Sequence, residues 1–265
     1  MNYSAIYALV LRYIYIYRRN KIRLFELFFW PFMHLLVWGN LTAYLQQSGG
    51  GELPHFIAYL LGGMLLWDVL FRAQHGVAIS FLEDIWTRNL LNIYVAPVRT
   101  VEMLISMFIL GVLRVAFTVP IMAVLAFIFY KFNIFVLNPL LIPYFAILLL
   151  FGWVLGIIAN ALVIRWGQGA EGLAWAIPFM IQPFAAVFYP VSILPSWLHG
   201  VAWSLPCTHI FEGMRASMRT GAVEYSHILW ATGITLVWMA VALAIFGRTL
   251  RHARNSGLLT KVASH

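Results

Sequence analysis

Asp68, Arg72 and His75 stand at i, i+4 and i+7 of an otherwise apolar run, "LLGGMLLWDVLFRAQHGVAIS". On a helix that spacing puts all three on one face. A charge at the centre of a bilayer costs at least about 2.5 kcal/mol, so such residues face protein or water rather than lipid. Arg114 is the equivalent case in "MLISMFILGVLRVAFTVPIM". Two chemistries suit these groups. One is an ion pair, Asp68 with Arg72 or with Arg114, that fixes helix register. The other is a polar lining along which water or substrate head groups pass.

A second constellation reads "FLEDIWTRNLLNIYVAPVRTVEML". Glu83, Asp84, Arg88, Arg99 and Glu102 alternate there with Ile85, Leu90, Leu91, Ile93 and Val95. That is the composition of a helix half buried in a partner, since a solvated loop would carry the charges without the apolar residues. The Ala96-Pro97 step ends it, because the residue before proline is pushed out of the helical region. Further on, Glu212 and Arg215 in "HIFEGMRASMR" lie one turn apart, spaced for an ion pair or for a gate at the exit of a pathway.

Other chemistries lack their residues. The chain contains no G-x-x-x-x-G-K-[ST] phosphate loop, no G-x-S-x-G and no H-E-x-x-H. Its eight histidines are scattered, and Cys207 is the only cysteine, so an intrachain disulfide is excluded. No metal or cofactor site is therefore expected on this chain. The excess of 17 Lys and Arg over 9 Asp and Glu comes without a basic face or reading motif for nucleic acid.

The elements that position these residues belong in a membrane. Of the 265 residues 63% are apolar and 10% charged, with a mean hydropathy of +0.86, which is polytopic membrane composition. Runs of about 20 apolar residues predict six transmembrane helices over about 27–45, 56–79, 103–130, 139–164, 172–189 and 226–247. The N-terminal apolar stretch precedes the basic "RRNKIR" rather than following it, so no cleaved signal segment is expected. Instead Tyr3, Ile6, Tyr7, Val10, Ile14 and Tyr17 share a face, predicting an amphipathic interfacial helix over 1–23.

Basic residues orient the set. Arg18, Arg19, Lys21, Arg23, Arg88, Arg99, Arg165, Arg248, Arg251, Arg254 and Lys261 fall on one side, against Lys131, Arg215 and Arg219 on the other. The first side is expected to be cytoplasmic, with both termini there, the loop 81–100 and the tail 248–265 included. An even number of crossings follows, so "YPVSILPSWLHGVAWSLP", residues 189 to 206, must enter and leave on the non-cytoplasmic face. Pro190, Pro195 and Pro206 break it, and the spacing of Leu194, Leu198, Val201 and Leu205 predicts a short re-entrant or interfacial helix over 190–206.

Taken together, Glu83, "NLLNIYVAPV" and Glu102, the six-span layout, the N-terminal helix and the Tyr-Pro and Leu-Pro steps of "FYPVSILPSWLHGVAWSLPCTHIFEGMR" resemble the membrane subunits of type-2 ATP-binding-cassette exporters. The resemblance implies a single permease domain over 1–265, paired with a second permease subunit, expected as a homodimer. Two copies of a separate ATPase would bind ATP and Mg; this chain would not itself be the enzyme. Glu83, Asp84, Arg88, Leu91, Pro97, Arg99 and Glu102 would couple to that ATPase, with a smaller contact from "RWGQGAEG", residues 165 to 172. Asp68, Arg72, His75 and Arg114 would be candidates for the pathway. Tyr189, Pro190, Leu194, Trp197, Glu212 and Arg215 would be candidates for its outer gate. The implied setting is a bacterial cytoplasmic membrane and an amphiphilic drug-like, lipid or glycan-linked substrate. An ATP-independent transporter or channel is the alternative, though residues 24–130 and 139–247 show no inverted repeat. An integral membrane enzyme is the third.

Overall fold

The computed structural model describes residues 1–48, 56–134 and 141–256, and these are helical with no strand among them. The polar loop expected after the first span lies mostly outside the described residues, as do residues 139 and 140 of the fourth span and 257–265 of the tail. Helix α1 covers Tyr3–Arg19, opened by the Asn2 side chain, which accepts from the amides of Ser4 and Ala5 at 3.1 and 3.4 Å. After a break at Asn20, α2 runs over Lys21–Ser48 and α3 over Phe56–Trp86. A short α4, Leu90–Val95, leads to α5, Thr100–Tyr130. Then come α6, Leu141–Trp166; α7, Glu171–Ile181; α8, His199–Trp203; α9, Pro206–Thr220; and α10, Tyr225–Asn255.

Four of the described helices are long and apolar enough to cross a membrane: Lys21–Gln47, Thr100–Tyr130, Ile142–Trp166 and Tyr225–Asn255. Helix α3 is as long as α5 and lies at the centre of the bundle. From Leu60 to Ile85 every residue except Phe71 is buried, with α2, α5, α6 and α7 packed around it. A central helix shielded from lipid can hold polar side chains that a lipid-facing one cannot.

Glycines let neighbours approach α3 closely. A Cβ on Gly76 would lie 2.3 Å from Gly111 Cα on α5. One on Gly152 would meet Leu70 O at 2.5 Å, and one on Gly156 would meet Val77 Cβ at 2.6 Å. Gly152 and Gly156 form a G-x-x-x-G step, the spacing that brings helix backbones together where the surroundings supply no hydrophobic drive.

Two expectations need correction. The continuous span over 172–189 is instead the 11-residue helix α7 followed by turns. Pro183 supplies no amide to continue the helix, and the chain turns through Ala186 at φ 55. In α1 the buried residues are Ile6, Leu9, Val10 and Tyr13, while Tyr3, Tyr7 and Ile14 of the expected face are exposed. The inward face is rotated because the buried end of α3 selects Tyr13. The exposed strip lies beside it, so the helix carries two adjoining apolar faces.

The predicted helix within 190–206 resolves into 3-10 turns at Val191–Ile193 and Ser196–Leu198 and the five-residue α8. Helix α9 was not foreseen. Its signals were in the chain: Pro206 in the first turn, the pattern of Ile210, Phe211 and Met214, and Gly221 closing it at φ 69.

Candidate functional site

One end of the bundle, here the basal end, gathers α1, the end of α3, the start of α5 and the turn before α7. Glu83 and Asp84, expected on a partner-facing surface, are turned inward. Glu83 is 1% exposed and ion-paired with Arg23. Asp84 Oδ1 lies 2.6 Å from Arg12 Nη1, and its Oδ2 accepts from the Tyr13 hydroxyl at 2.5 Å. Burial pushes the Asp84 carboxyl above the usual carboxylate range, while the Arg12 guanidinium and then the Tyr13 hydroxyl pull it back.

Glu102 also serves the fold. Its Oε2 accepts from the Arg99 amide at 2.9 Å, closing the first turn of α5, and its Oε1 accepts from the Asn2 amide at 2.7 Å. Further along α5, Arg114 donates to the Tyr17 hydroxyl and to His75 O, the latter at 3.1 Å, with its guanidinium 4.5 Å from the Tyr17 ring centre. Helix α1 is thereby held to α5 at two points about 18 Å apart along that helix.

Arg88, Pro97 and Arg99 remain exposed, and Val95 is 87% exposed. The side chain of Leu91 lies outside the described residues. Arg88 turns the chain at φ 52 where α3 ends, and Ile93 anchors α4 inward at 6% exposure. From the neighbouring turn, Glu171 Oε2 accepts from Trp86 Nε1 at 3.0 Å, and Arg254 near the end of α10 reaches Thr100. Residues 88–99 therefore connect helix ends that are tied to α1, α2, α7 and α10.

In the middle of α3, Asp68 pairs with Arg72 through both oxygens, Oδ2 with Nε at 3.2 Å and Oδ1 with Nη2 at 3.1 Å. Of the two expected ion pairs this one forms; Arg114 is engaged elsewhere. His75 Nδ1 bonds Phe71 O at 3.0 Å, and its ring meets Trp175 edge-on at 4.8 Å. Gln74 was missed from sequence: buried on α3, it donates to Ala174 O at 2.8 Å and ties α7 to the centre. Within one chain all these groups are enclosed by protein.

At the opposite, distal end Glu212 and Arg215 form their i, i+3 pair at 3.1 Å. They also hold the irregular segment 182–194. Glu212 accepts from the Val191 amide and Arg215 donates to Ala186 O, both at 2.7 Å. Tyr189 donates to Pro183 O at 2.5 Å, and Leu194 O bonds His199 at 2.9 Å. Pro190 opens the turn at Val191, and Trp197 projects outward, 76% exposed. Buried backbone without helix geometry is tolerable only when its polar groups are taken up in this way. Arg215→Ala should strand the Ala186 carbonyl, cost about 2 kcal/mol and speed proteolysis between 182 and 194. Unchanged cleavage kinetics would contradict the assignment.

Arg12, Tyr13, Tyr17 and Arg23 were likewise not singled out as site residues, since their partners lie 60 to 97 positions away in the chain. Among the described residues no three His, Cys, Asp or Glu side chains converge as a metal site would need. No family model and no curated protein matches this chain.

Proposed function

We propose that this chain is the membrane subunit of an ATP-driven exporter, working as a dimer with two copies of a separate P-loop ATPase in a bacterial cytoplasmic membrane. Six crossings are made by α2, α3, α5, α6, α7 with its following turns, and α10, with the basal end and both termini in the cytoplasm. The observation that carries the reading is the segment 88–99. It exposes Val95 and Pro97 beside Arg88 and Arg99, while the helix ends on either side are clamped to the bundle. Such a segment suits the transmission of movement from a docked subunit, because the anchoring ion pairs turn a local push into a shift of whole helices.

In this reading Glu83, Asp84 and Glu102 stiffen the coupling element, and Arg88, Val95, Pro97 and Arg99 touch the ATPase. ATP and Mg are held by that partner. The pathway for an amphiphilic substrate forms between the two permease copies. The test is affinity purification of the full chain from its native membrane, with ATPase activity measured on the complex. A P-loop subunit should co-purify, and Val95→Asp should weaken its retention at least tenfold without changing the yield of folded permease. Purification with no such subunit, or equal retention by Val95→Asp, would refute the proposal.

A further inference from the structure

A groove of about 330 Å³ lies between α2 and α5, open toward the outside of the bundle. Phe25, Phe28 and Phe32 line one wall and Ile121, Met122 and Leu125 the other. The one hydroxyl in the lining, on Thr118, is spent on Arg114 O at 2.9 Å, so the groove offers no hydrogen bond of its own. It is shaped for hydrocarbon.

The residues leading into it are cationic. Lys21, Phe25, Phe28 and Phe32 follow at i, i+4, i+7 and i+11, so Lys21 sits on the groove side of α2 some one to two turns before Phe25 and Phe28. Arg18 and Arg19 close α1 immediately before it. All three are exposed, and none forms an ion pair among the described residues. Glu26, the nearest carboxylate in sequence, falls on the other side of α2.

We propose that this groove holds one acyl chain of an anionic glycerophospholipid, with the lipid phosphate at Arg18, Arg19 and Lys21. The acyl chain alone gives no selectivity, because a bilayer tail already lies among groups as apolar as these. Discrimination comes from the head group, at about fivefold per cation and on the order of a hundredfold for three at low salt. The proposal does not depend on the exporter reading.

Native mass spectrometry of the full chain in micelles, given equimolar phosphatidylglycerol and phosphatidylethanolamine with the same chains, tests it. Phosphatidylglycerol should be enriched at least tenfold in the bound fraction. The Arg18→Gln/Arg19→Gln/Lys21→Gln variant should lose that preference, and Ile121→Trp, which fills the groove, should lose bound lipid of both kinds. Equal occupancy by the two lipids overturns the proposal, as does a preference that survives in the triple variant. If Ile121→Trp dissociates a dimer while lipid retention is unchanged, the groove is an interface between two copies and the lipid assignment falls. Should Ile121→Trp fail to fold, the triple variant decides alone, since it alters only exposed side chains.

Discussion

Arg23→Ala should destabilise the folded chain by about 3 kcal/mol, and adding Glu83→Gln should recover part of that loss. Glu83 is 1% exposed at the end of α3 and its ion-pair partner comes from the first turn of α2. Removing one member of a buried pair leaves an uncompensated charge, which costs about 3–5 kcal/mol. Arg23 is itself partly exposed, so the lower end applies. Neutralising the carboxylate then removes the charge and leaves only an amide to satisfy, at about 1–3 kcal/mol. Reversible unfolding in mixed micelles, followed by helix content, gives both numbers. A single variant as stable as the parent chain, or a double variant no better than the single, would show that the pair does not hold the basal end. Under the exporter proposal the result also bears on coupling: if Glu83 holds α2 to α3, its loss would weaken coupling through the fold and not through a missing contact to the ATPase.

The same pair shows what could be read from the chain alone. Apolar runs bounded by charges located α2, α5, α6 and α10, because in each the run is long and its charged limits are sharp. Helix α3 was read from the same kind of apolar run, over 56–79, with its polar groups facing protein or water; the packing surrounds them with protein within a single chain. The Asp68–Arg72 pair was legible because both residues share one helix. Arg12–Asp84, Arg23–Glu83 and Arg114 with Tyr17 were not, since nothing local in α1 or α2 says which distant carboxylate or hydroxyl will meet it. Apolarity without regard to Pro183 extended α7 to Tyr189, where the backbone is satisfied instead by Arg215, Thr208 and Tyr189 itself. For α9 the cap residues were present, but its burial at the bundle's distal end has no counterpart in hydropathy.

The close approach of α3 and α5 predicts the largest effect of any single methyl group. Gly76→Ala should cost at least about 3 kcal/mol, while Gly233→Ala on α10 should be neutral or stabilising by up to about 1 kcal/mol. The two substitutions are chemically identical, and both positions lie within helices. They differ in what the methyl meets. At Gly76 it falls 2.3 Å from Gly111 Cα and 2.8 Å from Gly111 N, which are backbone atoms that no rotamer change can move. At Gly233 nothing lies within 4 Å, so the gain in helix propensity is felt alone. Relief at Gly76 requires α3 and α5 to separate, and these helices carry the two ends of the segment 88–99 and the contact of Arg114 with His75 O. If the chain works as the exporter subunit proposed above, Gly76→Ala should also lower ATPase coupling, whereas Gly233→Ala should leave it intact. Equal tolerance at the two sites, measured by unfolding in micelles, would mean that the backbones of α3 and α5 do not touch at this point.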